Sequence, residues 1–268
     1  MILEEIAAKT VERVKEERKN YPELLLRDRA EKLALKEISA NGKFSYPFEK
    51  ALAKEGISFI CEVKRASPSK GMIAEDFPYL SIAEEYEEAG AAALSVLTEP
   101  YWFKGDNRYL AEIAEKVKVP VLRKDFTVCP YMVYEAKVLG AAAVLLICTI
   151  LTNRELKTLI GICNSLGLSA LVEAHTADEV RRAVSCGARI IGVNNRDLKD
   201  FTVDIGTAER LRTLVPDNIL FVAESGIRTA ADVDRLRAAG TDAVLIGETL
   251  MRSADRKRTL AELAGGAQ

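Results

Sequence analysis

Glu62 and Lys64 stand two residues apart where an apolar run, Ser58 to Cys61, gives way to Arg65, Ala66, Ser67, Pro68, Ser69, Lys70 and Gly71. In a strand this spacing puts both side chains on one face. Ionised groups taken out of water are costly unless they are paired or used, so the pair needs a reason to be there. Other apolar runs end the same way. One gives Thr98 and Glu99, another Arg123, Lys124, Asp125 and Phe126, a third Glu173 with His175 two residues on. Further runs end in Asn194, Asn195, Arg196 and Asp197, in Glu224, Ser225 and Gly226, and in Gly247 and Glu248. The run Ala143 to Ile147 offers little beyond Thr149.

Lys64, Lys124 and Glu173 are the acid–base candidates. A buried lysine has its pKa lowered by desolvation and neighbouring cations, or is held protonated by carboxylates such as Glu62 and Glu173. A structural ion-pair network is the other reading, although buried pairs are weak sources of stability. His175, the sole histidine, has no ligand cluster around it, and no metal or other cofactor is expected. Trp102 and Phe103, in the loop after Glu99, read equally as exposed hydrophobes or as a lid on an aromatic substrate.

Eight apolar runs must position these groups: one from Ser58, then Ala92–Leu97, Val119–Leu122, Ala143–Ile147, Ala170–Val172, Ile190–Val193, Leu220–Ala223 and Ala243–Ile246. Amphipathic helices separate them: Ser81–Ala89, Asn107–Val117, Tyr131–Leu139, Thr152–Leu166, Ala177–Cys186, Ile205–Leu214, Thr229–Ala239 and one after Met251. Gly90, Gly140, Gly167, Gly187 and Gly240 close helical patterns as left-handed caps. Thr152 with Glu155, and Thr176 with Glu179, have capping-box spacing.

This alternation predicts an α/β protein, a closed (β/α)8 TIM barrel, with an open doubly wound sheet as the alternative. In such a barrel eight loops converge at the C-terminal ends of the strands, where the ionisable residues fall. Ser225-Gly226-Ile227 and Gly247-Glu248, after runs seven and eight, are small-residue turns leading into helices and suit a phosphate. Glu248 beside a phosphate is repulsive unless it points away and only its backbone N–H takes part. Residues 1–46 form a helical N-terminal extension of a single domain, 1–268, with Ile2, Ile6, Val11 and Val14 as the first stripe and Leu33, Ala34 and Ile38 as the second. That extension either packs on one end of the barrel or partly covers a site.

Charged residues make up 29% of the chain at a formal net charge of −2, which leaves no basic excess for a nucleic acid or an anionic membrane. Any anion must be recognised locally. No signal-like or membrane-spanning run is present, so a cytoplasmic protein is expected. The five cysteines form no CxxC pair and read as reduced, packed thiols.

Glu62-Val63-Lys64-Arg65-Ala66-Ser67-Pro68-Ser69, Leu97-Thr98-Glu99, Lys124-Asp125-Phe126, Glu173, Gly192-Val193-Asn194-Asn195-Arg196-Asp197-Leu198, Ala223-Glu224-Ser225-Gly226-Ile227 and Leu245-Ile246-Gly247 together resemble the indole-3-glycerol phosphate synthase family. The likeness spans nearly the whole chain, the two-helix extension included. It implies a carboxy-lyase of tryptophan biosynthesis. The substrate would be 1-(2-carboxyphenylamino)-1-deoxyribulose 5-phosphate, whose ring carbon attacks the ketone before carbon dioxide and water leave. By the family's pattern Lys124 is the leading general acid and Glu173 the general base. Lys64 binds the carboxylate or phosphate or shares the acid role. Glu62, Asn194 and Arg196 orient these groups, while Glu224 and Ser225 line the pocket. Ser225, Gly226 and Gly247 hold the phosphate with the Glu248 backbone, Phe103 stacks near the anthranilate ring, and the Ser67-Pro68-Ser69 turn folds over the site. Ala66 replaces a basic residue of some relatives.

Two other readings stay open. Phosphoribosylanthranilate isomerase, another sugar-phosphate barrel, is similar in fold but uses a cysteine at the first strand end and an aspartate at the sixth. Here Cys61 precedes the charged end and the sixth carries Asn194. A non-catalytic phosphate-binding barrel has no need of Lys64, Lys124 and Glu173 together. A small phosphorylated substrate is the expected partner, and the chain is expected to be a monomer or weak homodimer.

Overall fold

The computed structural model describes residues 2–197 and 200–265. Leu198, at the end of one family-like motif, lies outside the described residues. Eight parallel strands close into a barrel in chain order. We label them β1 (Ser58–Val63), β2 (Ala93–Leu97), β3 (Val121–Lys124), β4 (Ala143–Ile147), β5 (Ser169–Ala174), β6 (Ile190–Asn194), β7 (Leu220–Glu224) and β8 (Ala243–Ile246). β1 pairs with both β2 and β8, which leaves the sheet without an edge and excludes the open doubly wound alternative.

Several strands run further than their apolar residues suggest. β1 extends to Val63 through Glu62, β3 lies two residues later and includes Arg123 and Lys124, and β5 to β7 take in Glu173, Asn194 and Glu224. A strand's hydrogen bonds are made by backbone, so a polar side chain at its end does not terminate it. Interior positions then follow the pleat. Ile60, Leu122, Leu171, Val222 and Leu245 form one buried cluster, with Phe48 and Leu52 of a short helix, α3 (Pro47–Leu52), packed into it. Two residues beyond these, the same face carries Glu62, Lys124, Glu173, Glu224 and Gly247.

The helices between strands largely match their expected places. Gly90, Gly140, Gly167, Gly187 and Gly240 all have positive φ, as left-handed caps require. The Thr152–Glu155 capping box forms; the Thr176–Glu179 one forms only by half, because the Glu179 carboxylate turns instead to the His175 amide and the Thr149 hydroxyl. The region after β8 divides into a single turn, Glu248–Met251, and a helix, Arg256–Leu263. A small hairpin, Ala66–Ser67 with Gly71–Met72, organises the loop after β1.

The extension consists of α1 (Ile2–Asn20) and α2 (Glu23–Asn41). Leu3, Ile6 and Val14 of α1 are buried, but Val11 is exposed, and α2 buries Leu26, Ala30 and Ala34 rather than Leu33. The stripe thus begins earlier on α2 than its sequence pattern suggests. Arg13 ties α1 to the barrel: its guanidinium donates to Asp125 Oδ2 at 2.9 Å, and Asp125 also accepts from Thr98 Oγ1 at 2.6 Å and from the Phe126 amide at 2.8 Å. Removing one member of a buried pair strands the other charge. Arg13→Ala should cost about 3 kcal/mol; a thermal melt identical to the parent's would show that apolar contacts alone hold α1.

Candidate active site

At the C-terminal mouth of the barrel lies a cavity of about 420 Å³, within the range of about 300–1,000 Å³ usual for small-molecule sites. Glu62, Lys64, Ser67, Phe103, Lys124, Glu173, Asn194, Arg196, Glu224, Ser225, Gly226, Gly247 and Glu248 all line it. Thirteen positions spread over nearly 190 residues of chain are brought together because each sits at, or just past, a strand end.

Lys124 is the hub. Its Nζ lies 3.7 Å from Glu224 Oε2, 3.9 Å from Glu173 Oε2 and 4.0 Å from Glu62 Oε2. Burial opposes its charge, but Glu224, Glu62 and Glu173 outweigh that and push its pKa above the ordinary lysine value. Of the two states open to a buried lysine, the protonated one holds. Glu62 is engaged more tightly by Lys64, whose ammonium donates directly to Oε1, and Ser95 donates to Oε2 at 3.3 Å. Burial opposes ionisation of Glu62 as well, yet Lys64 and Lys124 draw its pKa below the usual range.

Glu224 behaves oppositely. Burial first, then the Glu173 carboxylate, hold its pKa above the ordinary range, and Lys124 offsets only part of this. Both Glu224 oxygens and Glu173 Oε2 are buried without a hydrogen bond among the described residues, although all three belong to cavity-lining side chains. Acceptors left open in this way are available to a ligand. Gly192 makes room for them: a Cβ there would overlap Glu224 Oε1.

The turns after β6, β7 and β8 form the opposite wall. Asn195 links the first two by donating to the Ser225 carbonyl at 3.1 Å and accepting from the Ala208 amide at 3.0 Å. Ser225 has φ +69°, a costly value for a residue with a side chain, and Gly226 follows at +84°. Gly247 is bare for a different reason, since a Cβ would stand 2.5 Å from Glu62 Oε1 and 2.8 Å from Lys64 Nζ. The Glu248 side chain does not point away, as the repulsion argument expects. It lines the cavity and is neutralised by Lys70 at 3.4 Å, Arg252 at 3.4 Å and Arg196 at 3.9 Å.

Other residues at strand ends have structural tasks. Arg123 points outward and is fully buried, bonded to Thr98, Asn107, Glu135 and the Met132 carbonyl. Glu99 accepts from the amides of Tyr101, Trp102 and Phe103, which fixes the loop presenting Phe103 to the cavity. Trp102 does not reach the cavity; Phe103 does, with its ring 6.0 Å from that of Phe126. Cys61 lies in the outer core, away from the cavity, where burial raises its thiol pKa. All five cysteines are unpaired.

The sequence reading missed the apolar lining: Leu145 and Ile147 of β4, and Ile2, Leu3 and Ile6 of α1. The inward pleat of β4 signals the first two, while an apolar stripe on α1 cannot distinguish barrel packing from cavity cover. Among the described residues no cluster of metal-ligating side chains occurs, and no helix is long and apolar enough to cross a membrane.

A closed barrel whose strand ends converge lysines and carboxylates on one concave mouth defines a (β/α)8-barrel enzyme. Among solved structures, 3-hexulose-6-phosphate synthase from Salmonella typhimurium superposes with a TM-score of 0.64 over 78% of this chain and 97% of that one, at 13% identity. A thiamine phosphate pyrophosphorylase from Pyrococcus furiosus gives 0.57 at 18% identity over 78% of this chain and 94% of that one. These likenesses establish the fold. The family follows from sequence: the indole-3-glycerol phosphate synthase profile matches residues 3–263. An indole-3-glycerol phosphate synthase of Ruminiclostridium cellulolyticum is 53% identical over 267 residues, the full length of both chains. Another, from Lachnoclostridium phytofermentans, is 50% identical over 98% of each. The chain belongs to the indole-3-glycerol phosphate synthase family.

The raised pKa of Glu224 has a measurable consequence. A carboxyl that binds its proton more tightly when folded loses stabilisation as pH rises from the ordinary 4.5 through the raised value. Glu224→Gln mimics the protonated form and escapes that loss. Its melting temperature should exceed the parent's at about pH 8, with the gap closing towards about pH 5. A gap independent of pH would show that Glu224 takes up no extra proton on folding.

Proposed function

We propose that Lys124 serves as general acid and Glu173 as general base in this family's ring closure. Family membership makes the chain a carbon–carbon lyase of tryptophan biosynthesis. The reaction joins the anthranilate ring carbon to the ketone of 1-(2-carboxyphenylamino)-1-deoxyribulose 5-phosphate, releases carbon dioxide and expels the former ketone oxygen as water. A protonated amine near that oxygen polarises it for attack and later supplies the proton for its departure. A carboxylate removes the proton whose loss restores aromaticity.

The observation that carries this assignment is the setting of Lys124. It is held protonated by three carboxylates at 3.7–4.0 Å and is committed to none by a direct hydrogen bond. Lys64, in contrast, is engaged by Glu62 and stands against Gly247, which suits it to anchoring an anionic group of the substrate. The phosphate lies at the Ser225-Gly226 and Gly247 turns, with Arg196 nearby and Glu248 already neutralised by its three cations. Phe103, with Phe126 behind it, faces the anthranilate ring, and the apolar residues of α1 and β4 complete the enclosure. Ser67 belongs to the loop that covers the site, Asn194 orients Arg196 by accepting from its amide at 3.1 Å, and Glu62 orients both lysines. On this reading the whole chain works as one domain, with residues 1–46 as the part that covers the mouth.

Lys124→Ala and Glu173→Gln should each lower kcat by about a hundredfold or more, measured as indole fluorescence on the purified, folded variants. Near-parental turnover in either would remove that residue from its role. Gly226→Val places side-chain atoms against Val203 and should raise KM for the phosphorylated substrate together with the inhibition constant of inorganic phosphate. If both constants stay unchanged, the phosphate binds elsewhere.

A further inference from the structure

Glu248 lines the cavity with cations on both of its oxygens. Lys70 Nζ and Arg252 Nε each lie 3.4 Å from Oε1, and Arg196 stands 3.9 Å from Oε2. The three come from separate segments. Lys70 sits in the turn of the hairpin after β1, whose Ser67, Pro68 and Ser69 line the cavity, Arg196 follows β6, and Arg252 ends the single turn after β8. Arg228, exposed on the cavity wall after β7, adds a further cation. The carboxylate itself is held in register, because Thr249 Oγ1 donates to the Ile227 carbonyl at 2.8 Å and ties the turn after β8 to the one after β7.

We infer that Glu248 is a built-in counter-ion of the phosphate site: it gathers Lys70, Arg196 and Arg252 before substrate arrives, yields them to the phosphate, and takes them back as the phosphorylated product leaves. The inference rests on the phosphate lying at the Ser225-Gly226 and Gly247 turns. Glu248 directly follows Gly247, so its carboxylate is tethered beside that position and draws on the same donors. Without it, three cations from three loops would repel one another across the mouth. With it they are held together, yet positive charge remains in excess for an arriving anion.

The looseness of these pairs suits them to exchange. None of the three contacts is a hydrogen bond among the described residues, and all four side chains keep some contact with solvent. Ion pairs of this kind contribute little stability. The pair deeper in the cavity differs, since Lys64 donates directly to the buried Glu62. A phosphate offers the same cations charge-assisted hydrogen bonds, which an arginine can make two at a time. Arg196 is prepared for this: one terminal nitrogen donates to the Phe201 carbonyl at 3.2 Å, and the other faces Glu248. Substrate and product carry the same phosphate, so a grip that only tightened would hold the product as well. A competing carboxylate weakens the grip at both ends of the cycle.

The sign of one measurement decides the matter. Glu248→Gln keeps the size of the side chain and removes its charge, so the Kd for inorganic phosphate, measured by calorimetry at low ionic strength, should fall about tenfold. The gain should shrink as salt is added. Dissociation of indole-3-glycerol phosphate, followed by stopped-flow indole fluorescence, should slow by a similar factor, while Glu248→Asp should stay nearer the parent in both. Weaker phosphate binding by Glu248→Gln would mean that the carboxylate only supports the wall, and an unchanged Kd would equally overturn the exchange. Should that variant fail to fold, Lys70→Gln on the hairpin turn serves instead: it should weaken phosphate severalfold, and an unchanged Kd would exclude Lys70 from the exchange and overturn it. Gly226→Val separates the inference from the reading beneath it. If that variant binds phosphate like the parent, the phosphate site lies elsewhere; if it binds weakly while Glu248→Gln is unchanged, the site stands and the counter-ion falls.

Discussion

One lysine among three carboxylates determines how the mouth of this barrel is built. Lys124 brings a single positive charge to Glu62, Glu173 and Glu224, which would otherwise repel one another in a poorly solvated space. The charges do not balance within that group, and the surplus sets the behaviour of each member. Lys64 takes up Glu62, so that carboxyl stays ionised, and Glu224, the most enclosed, holds a proton more tightly instead. A fixed, partly uncompensated field of this kind is suited to a substrate that develops charge as its ring closes.

The rest of the molecule keeps that cluster in position and shields it from water. β1, β3, β5 and β7 each contribute an inward side chain, and a closed sheet holds strand ends to one another more rigidly than loops could. Behind Lys124 the outward residues of the same turn, Arg123 and Asp125, are tied to Thr98, Glu135 and Arg13. The strand end is thus clamped from outside while its lysine works inside. Arg13 also makes α1 part of the clamp, and the same helix lays Ile2, Leu3 and Ile6 over the cavity.

Much of this was legible in the sequence for a simple physical reason. Charged residues at the ends of apolar runs are costly unless several converge, and the glycine-closed helices between them left a closed barrel as the economical way to make them converge. Glu62, Lys64, Lys124, Glu173 and Glu224 could therefore be placed on one mouth from spacing alone. Roles within the mouth were less accessible. Whether Arg123 belonged to β3 or to the loop beyond it depended on a strand end that the apolar residues put two positions too early. Glu248 looked like a liability beside a phosphate because its cations, Lys70, Arg196 and Arg252, come from three separate segments. Leu145 and Ile147 gave no signal of function, since a wall that excludes water has the same composition as a core.

His175 marks the limit of reading by residue type. A sole histidine without companions is a poor candidate for a metal site or a base, and its side chain does not line the cavity. Two residues beyond Glu173 and one past the end of β5, it stands at the rim, where the carboxylates of Glu173 and Glu179 lie 3.4 and 3.7 Å from its two nitrogens. What surrounds it is set by the fold and not by its residue type, since the second carboxylate comes from a separate helix, Ala177–Ser185.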